Sequence, residues 1–168
     1  MGNWPAGLAA LRRDGVRLEQ DGLETAYPVR VARRPGDCGP HPAYALVLVK
    51  AWGTAQAAHQ MAACLPPDCL VLTLQNGLGN RELLAQTLGE ARVALGVTTA
   101  GATLLEPGRV RSGGEGVTTL GDHERLAPLV EALSCSGFSV EQDPDPDALL
   151  WGKLVINAAI NPLTALLN

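Results

Sequence analysis

"CLVLTLQNGLGNRELLAQTL", residues 69–88, decides the fold of this chain. The stretch opens with a mostly apolar segment over 69–75, which predicts a strand buried on both faces. Gly77 and Gly79 follow at once and suit a turn with positive φ. The pattern of 81–88 then predicts a helix. A strand that passes through a tight turn into a helix is the repeating unit of parallel α/β sheets.

Two further runs flank this stretch at the spacing of a βαβ repeat. "YALVLVK" (44–50) predicts another strand buried on both faces, and "ARVALGVTT" (91–99) predicts a third strand. Thr54 is expected to start a helix that continues through "AQAAHQMAACL" (55–65). The order β-α-β-α-β with short connections predicts a parallel sheet with right-handed crossovers.

Smaller elements are predicted outside this sheet. They are strands over 16–20 and 26–34 with a turn at 21–24, short β segments over 99–121, a helix over 123–137 and a strand over 138–142. In "DPDPD" (143–147), Asp145 is a suitable helix N-cap and Pro146 suits the first helical position. We therefore place a domain boundary between 1–144 and 145–168.

The composition excludes several classes of protein. With 168 residues and 46% hydrophobic side chains the chain can build a core, so a disordered protein is not expected. A formal net charge of −4 gives no support for a nucleic-acid partner. The four cysteines form no C-x-x-C and have no nearby histidine pattern, so neither a disulfide framework nor a metal site is expected. No signal peptide follows Met1, and we expect a cytoplasmic protein; the sequence leaves open whether it forms a homo-oligomer.

The end of the chain, "WGKLVINAAINPLTALLN" (151–168), carries three polar side chains at intervals of four residues. In a helix, Lys153, Asn157 and Asn161 would share one face, because four residues turn the helix by about 400°. Apolar residues cover the other faces, which is typical of a buried helix. Pro162 has no N–H to donate and is expected to kink or end the helix at Asn161. The lysine, the amides and the proline argue against a membrane span, although the segment is nearly long enough for one.

This polar stripe admits two interpretations. In the first, the three side chains hydrogen-bond to neighbouring loops, because buried polar groups need partners. In the second, they line a cleft that receives an oxygen-rich small molecule. The Lys153 amine, with its pKa lowered by burial, would then act as a general acid towards a carbonyl.

Two more polar residues stand at the predicted strand ends, Asn76 after 69–75 and Lys50 at the end of 44–50. In open parallel sheets, ligands bind at the carboxyl ends of the strands. The simpler alternatives are a turn residue at Asn76 and a solvated side chain at Lys50.

Four blocks of the chain, in their order and approximate spacing, resemble the ketopantoate reductase family. They are "VKAWGT" (49–54), "VLTLQNGLGN" (71–80), "GVTTAGATLLEPGRV" (96–110) followed by "GGEG" (113–116), and "WGKLVINAAINPLTALLN" (151–168). Members of that family, the 2-dehydropantoate 2-reductases, use NADPH to reduce ketopantoate to pantoate on the route to pantothenate. The resemblance implies an incomplete, Rossmann-like NADP-binding domain in 1–144. It also implies that 145–168 is the first helix of an all-helical substrate domain of the 6-phosphogluconate-dehydrogenase type.

The resemblance further implies a role for single residues. Lys153 matches the general acid that protonates the keto oxygen of a 2-oxoacid. Asn157 and Asn161 match the amides that hold this small-molecule substrate, and Asn76 matches an asparagine between cofactor and substrate. The positions that match NADP contacts are Lys50, Asn76 and Ala102.

Two parts of the family pattern have no counterpart in the sequence, the phosphate-binding G-x-G-x-x-G and most of the helical domain. The strand that precedes this motif would lie beside 44–50, so we expect an apolar sheet edge there and exposed apolar surface on the last helix. We also expect this chain alone to bind NADPH weakly or not at all. A non-catalytic remnant or isoform, and a reductase of another 2-oxoacid, are the alternatives to a truncated ketopantoate reductase.

Overall fold

A computed structural model describes residues 4–32, 37 and 41–167 and divides the chain into two compact units. The first unit combines 1–40 with 99–116, and the second combines 41–98 with 117–168. The helices and strands, in chain order, are α1 (Pro5–Asp14), β1 (Val16–Gln20), β2 (Leu23–Tyr27), β3 (Tyr44–Val47), α2 (Thr54–Cys64), β4 (Leu70–Thr73), α3 (Asn80–Leu88), β5 (Val93–Thr98), β6 (Ala102–Glu106), β7 (Arg109–Ser112), β8 (Val117–Gly121), α4 (Ala127–Cys135), β9 (Ser139–Asp143) and α5 (Pro146–Leu167). The domain boundary between 144 and 145 stays a prediction.

The first unit contains a four-stranded sheet of order β2-β1-β7-β6. Its β1–β2 hairpin closes with two residues, Asp21 and Gly22, whose φ angles of 51° and 77° are both positive. Such a turn matches the twist of the strands, and Asp-Gly favours it. The strand predicted over 26–34 is therefore wrong in its bounds, because two turn residues suffice and β2 already begins at Leu23. Residues 33–34 lie outside the described part of the chain.

The second unit contains a five-stranded sheet of order β3-β4-β5-β8-β9. Strands β3, β4 and β5 are parallel, as predicted, whereas β8 is antiparallel to β5 and parallel to β9. Leu70, Val71 and Leu72 of β4 are fully buried, so this central strand is covered on both faces. The α/β class with a Rossmann-like parallel sheet is thus confirmed.

The strand predicted over 44–50 differs from the structure in length and in burial. Strand β3 ends at Val47, and although Val47 is buried, Leu46 and Leu48 are 45% and 65% exposed. The reason is that β3 lies at the edge of the sheet, where it has one neighbouring strand instead of two. The prediction of a strand buried on both faces is therefore wrong, and the expected apolar sheet edge is confirmed.

The core of the second unit follows the alternation of side chains along the central strands. Val71 and Val93 face one layer of helices, in a cluster with Val47, Ala58, Met61, Leu84, Ala85 and Leu88 from β3, α2 and α3. The opposite face packs on α4 through Leu70, Leu72, Ala94, Leu120, Leu126 and Leu129. Further along β5, Leu95 and Val97 pack against Leu150 of α5. This last contact places α5 at the carboxyl end of β5.

Helix α5 begins as predicted but continues further. The Asp145 carboxylate accepts a hydrogen bond from the Ala148 N–H at 3.0 Å, which confirms the N-cap. Of the kink or end predicted at Asn161, the end is wrong, because the helix runs on to Leu167, and the kink stays a prediction. Proline removes one backbone hydrogen bond, and the helix continues on both sides of that gap.

Beyond Leu150, most apolar side chains of α5 are exposed, so the exposed apolar surface expected on the last helix is confirmed and the buried helix that its apolar faces indicated is wrong. By length and composition alone, these 22 residues could cross a membrane. The absence of a membrane span stays a prediction, and it rests on the lysine, the amides and the proline inside the segment.

Candidate functional site

The carboxyl ends of β3, β4 and β5 lie at the same end of the parallel sheet. One residue of each strand lies beside the next in the ladder: Val47, Thr73 and Leu95. Lys50, Asn76 and Thr98 each follow three residues later on their own segment. These three residues, called the strand-end row below, therefore lie at or just beyond the carboxyl ends of three neighbouring parallel strands.

Lys153 reaches this row from α5. Its Nζ donates a hydrogen bond to the carbonyl oxygen of Thr98 at 2.5 Å. Leu150 is buried against β5 one helical turn earlier, so the packing of α5 aims the lysine at the strand end. The side chain is half-buried, and burial lowers the pKa of its amine because desolvation disfavours the charged form.

The Thr98 carbonyl, which accepts the hydrogen bond from Lys153, belongs to a strand end that a second hydrogen bond stabilises. The Thr98 hydroxyl hydrogen-bonds to the Thr118 hydroxyl at 2.9 Å, and these residues face each other in the β5–β8 ladder. Asn157 and Asn161 follow Lys153 along the same face of α5; the first is half-buried and the second exposed. In the described part of the chain their amides have no hydrogen-bond partner, so of the three side chains only Lys153 is held, and its partner is a strand end and not a loop. Their role in holding the substrate stays a prediction.

The other predicted site residues have exposed side chains. Asn76 begins the turn in which Gly77 and Gly79 have φ angles of 89° and 84°, as their sequence predicted. Lys50 precedes a short 3-10 turn, and its carbonyl accepts a hydrogen bond from the Gly53 N–H at 2.7 Å. Ala102 begins β6 in the first unit, and its contact with NADP stays a prediction.

A buried polar network behind the row was not predicted from the sequence. Its members, called the Thr54 network below, are Thr54, Thr73, Gln75 and Asn80, each at most 7% exposed. Gln75 Nε2 donates to the Thr54 hydroxyl at 2.8 Å and to the Val49 carbonyl at 2.7 Å. The Thr73 hydroxyl donates to Gln75 Oε1 at 3.0 Å.

Asn80 connects this network to the turn. The Thr54 hydroxyl donates to Asn80 Oδ1 at 2.9 Å, and Asn80 Nδ2 donates to the carbonyls of Asn76 and Gly77 at 3.1 and 3.3 Å. The link from Thr54 to Asn80 spans 26 residues, so no local spacing rule could have found it. The sequence pointed to this region only through Lys50 and Asn76, the polar residues at the two predicted strand ends.

A cleft of about 320 Å³ adjoins the network on the side of α5. Its lining includes Gln75, Leu95 and Trp151, together with residues in the first turn of α3. Neither Asn76 nor Lys153 is among the described residues that line it. The cleft thus lies between the turn after β4 and the first turns of α5.

Comparison with known sequences identifies the family. Residues 1–125 match the sequence model described as ketopantoate reductase PanE/ApbA. The chain belongs to this family. A 2-dehydropantoate 2-reductase of Halobacterium salinarum is 36% identical over 172 residues, which cover 99% of this chain and 56% of that protein. The chain spans about half the length of the curated relatives it matches.

Solved structures place this ketopantoate reductase family chain in the same fold. The 2-dehydropantoate 2-reductase of Geobacter metallireducens is 30% identical, with a TM-score of 0.85, over 94% of this chain and 54% of that one. A D-mandelate dehydrogenase in a ternary complex with NADH and anilino(oxo)acetate has the same TM-score over 96% of this chain and 53% of its own length. At 21% identity, the second likeness shows the fold alone.

Proposed function

We propose that this chain carries the proton-donating and substrate-holding part of an NADPH-dependent 2-dehydropantoate 2-reductase, a cytoplasmic enzyme that acts on a small 2-oxoacid. The observation that carries the proposal is the hydrogen bond that places the Lys153 amine at the carboxyl end of β5, the end of the parallel sheet at which Asn76 and Lys50 follow the neighbouring strands. Ligands of open parallel sheets bind at the carboxyl ends of the strands. Membership of the ketopantoate reductase family supports the same reaction.

In the proposed reaction the keto group of the substrate becomes an alcohol. The nicotinamide cofactor, when bound, supplies the hydride to the keto carbon. The Lys153 ammonium gives one proton to the keto oxygen, and the Thr98 carbonyl holds the amine in position for that transfer. Burial lowers the pKa of Lys153, which makes its ammonium a stronger acid than a solvated one.

The amides have a positioning role in this proposal. Asn157 and Asn161 lie on the face of α5 that carries Lys153, and their N–H groups would bind oxygens of the 2-oxoacid. Asn76 would lie between the cofactor and the substrate. Donors that are oriented before the reaction lower the barrier, because they need little rearrangement as charge develops on the keto oxygen.

In this proposal Lys50 and Asn76 of the strand-end row would contact the nicotinamide dinucleotide. Lys50 and Asn76 present an exposed ammonium and amide, and no atom lies within 4 Å of a Cβ built on Gly77 or Gly79, so a ligand can approach this turn closely. The sequence has no G-x-G-x-x-G for the pyrophosphate. We therefore propose that the 168-residue chain alone binds NADPH weakly or not at all.

Fluorescence titration of the purified chain with NADPH, and with NADH in parallel, tests cofactor binding. Weak binding of both supports the proposal for the isolated chain, and tight binding of either would refute it. If the natural gene encodes a longer chain, the same titration of that longer protein should show binding, with NADPH preferred. If that protein also binds neither cofactor, a non-catalytic remnant is the better interpretation.

Replacement of Lys153 tests the proton donor. In the protein encoded by the natural gene, Lys153→Ala should abolish reduction of ketopantoate, followed by loss of NADPH absorbance, while NADPH binding persists. Glu131→Ala, an exposed change on α4, is the control and should leave turnover unchanged. Normal turnover of Lys153→Ala would show that this amine is not the essential acid.

A reductase of another 2-oxoacid is the second candidate. The likeness in fold to a D-mandelate dehydrogenase, solved with NADH and anilino(oxo)acetate, favours testing this class. A panel of 2-oxoacids with aliphatic and aromatic side chains, ranked by kcat/KM, separates the candidates. Our first proposal requires ketopantoate to rank first.

A further inference from the structure

We propose that Thr54 is a positioning residue that fixes the spacing between Lys50 and Asn76, the cofactor-side contacts of the reaction proposed above. The inference rests on that proposed function for its catalytic consequence. Its structural basis is the Thr54 network, which lies directly behind the strand-end row. The Thr54 side chain is fully buried and contacts the row only through other groups.

The backbone carbonyls at the two ends of the network determine the direction of each hydrogen bond in it. Backbone carbonyls only accept, so the side-chain groups that bond to Val49 and to the turn must be the amide nitrogens of Gln75 and Asn80. Asn80 Oδ1 then faces Thr54, whose single hydroxyl proton must go to it. The Thr54 oxygen is left to accept from Gln75 Nε2. A hydroxyl is therefore required at this position, because the group must donate and accept at once.

The Thr54 network connects the two chain segments beyond the end of the β3–β4 ladder. The ladder between β3 and β4 ends at the pair Val47–Thr73, whereas Lys50 and Asn76 come three residues later. Beyond the ladder, Gln75 bonds to the Val49 carbonyl, next to Lys50. The Thr54 hydroxyl donates to Asn80, and the Asn80 amide donates to the carbonyl of Asn76. Both strand ends are thus tied to one buried hydroxyl.

Loss of that hydroxyl should loosen both ends together. Thr54→Val keeps the shape of the side chain but leaves a Gln75 N–H and Asn80 Oδ1 without a partner in a buried site. An amide that turns to pair its unpaired group elsewhere releases the Val49 carbonyl, in the case of Gln75, or the turn, in the case of Asn80. A shift of about 1 Å in a positioning group can cost about a hundredfold in rate.

The test compares Thr54→Val with Thr54→Ser in the protein encoded by the natural gene. We expect the valine variant to lower kcat by about ten- to hundredfold and the serine variant to restore it. Leu88→Ala, in the core at the far end of α3, controls for general destabilisation, and it should lower the melting temperature while kcat stays close to wild type. A valine variant with normal kcat, or a Leu88→Ala variant with the same loss, would overturn the inference.

Hydrogen exchange measured by mass spectrometry gives a readout that does not need the reaction. In Thr54→Val, amides over 50–53 and 76–80 should exchange faster together, while those of β5 keep their protection. If wild-type protein does not reduce ketopantoate, the proposed function fails, and this exchange pattern still decides the coupling. Unchanged exchange at either segment would show that Thr54 does not tie the two strand ends.

Discussion

Addition of one methyl group at Gly121 should displace the helix that carries Lys153. Gly121 is the last residue of β8, and a Cβ there would lie 2.7 Å from Cγ of Pro146, the first residue of α5. The same Cβ would lie 3.2 Å from the carbonyl oxygen of Leu95. Glycine at this position therefore allows the first turn of α5 to lie directly against the sheet.

The size of the effect follows from these contacts. Ordinary contacts of a Cβ begin at 3.4 Å, so the ring of Pro146 must retreat by about 0.7 Å. A proline ring cannot rotate away and the Leu95 carbonyl is part of β5, so Gly121→Ala should cost about 1–3 kcal/mol in free energy of unfolding. For a chain of this length, that corresponds to a fall of about 2–12 °C in Tm.

The displacement should also reach the proposed proton donor. Lys153 lies about two turns beyond Pro146 on the same helix, so a retreat of the first turn moves the amine away from the Thr98 carbonyl. Reduction of ketopantoate by the protein encoded by the natural gene should then fall by up to about a hundredfold, with a smaller change in NADPH binding.

Calorimetry on Gly121→Ala, Pro146→Ala and the double variant tests the steric reasoning. Pro146→Ala alone should have a small effect, and in the double variant it should recover most of the stability lost by Gly121→Ala, because the ring that obstructs the methyl group is gone. Recovery should be incomplete, since the Leu95 carbonyl remains. A Gly121→Ala variant with wild-type Tm, or strictly additive losses, would refute the reasoning.

Three further changes have defined outcomes. Gly152→Ala should raise the free energy of unfolding by about 1 kcal/mol, because alanine favours a helix and no atom lies within 4 Å of the added Cβ; a lower Tm would contradict this. Burial holds the pKa of Lys153 in the folded chain below its ordinary 10.5. Between the folded and the unfolded pKa the unfolded chain binds more protons, so the free energy of unfolding rises with pH. The free-energy cost of burying the charged amine therefore disappears as pH rises through that window. Lys153→Met should therefore raise stability in urea titrations at neutral pH and raise it less near pH 10.5, whereas a gain independent of pH would exclude this cause. Arg109→Ala breaks ion pairs with Glu19 and Glu24 but should cost no more than about 1 kcal/mol, and less in high salt, because the pairs are partly exposed; a larger, salt-independent loss would show that they act as a buried network.

Local sequence was sufficient wherever one segment decides its own conformation. The apolar run of β4, the positive φ angles of Gly77 and Gly79, and the capping of α5 by Asp145 follow from a few adjacent residues each. The polar residues at strand ends could be found in the same way, because a parallel sheet places the carboxyl ends of its strands next to one another. Helical periodicity likewise placed Lys153 and the two amides on one face.

Tertiary structure decided which atoms these residues meet. The partner of Lys153 is a carbonyl 55 residues earlier, and it is reached because Leu150 docks α5 onto β5. The Thr54 hydroxyl joins groups 21 and 26 residues away. The exposure of Leu46 depends on its strand's place at the sheet edge, although the run itself is apolar. Side-chain pattern thus determines which elements form, whereas burial and hydrogen-bond partners depend on neighbours that packing alone brings together.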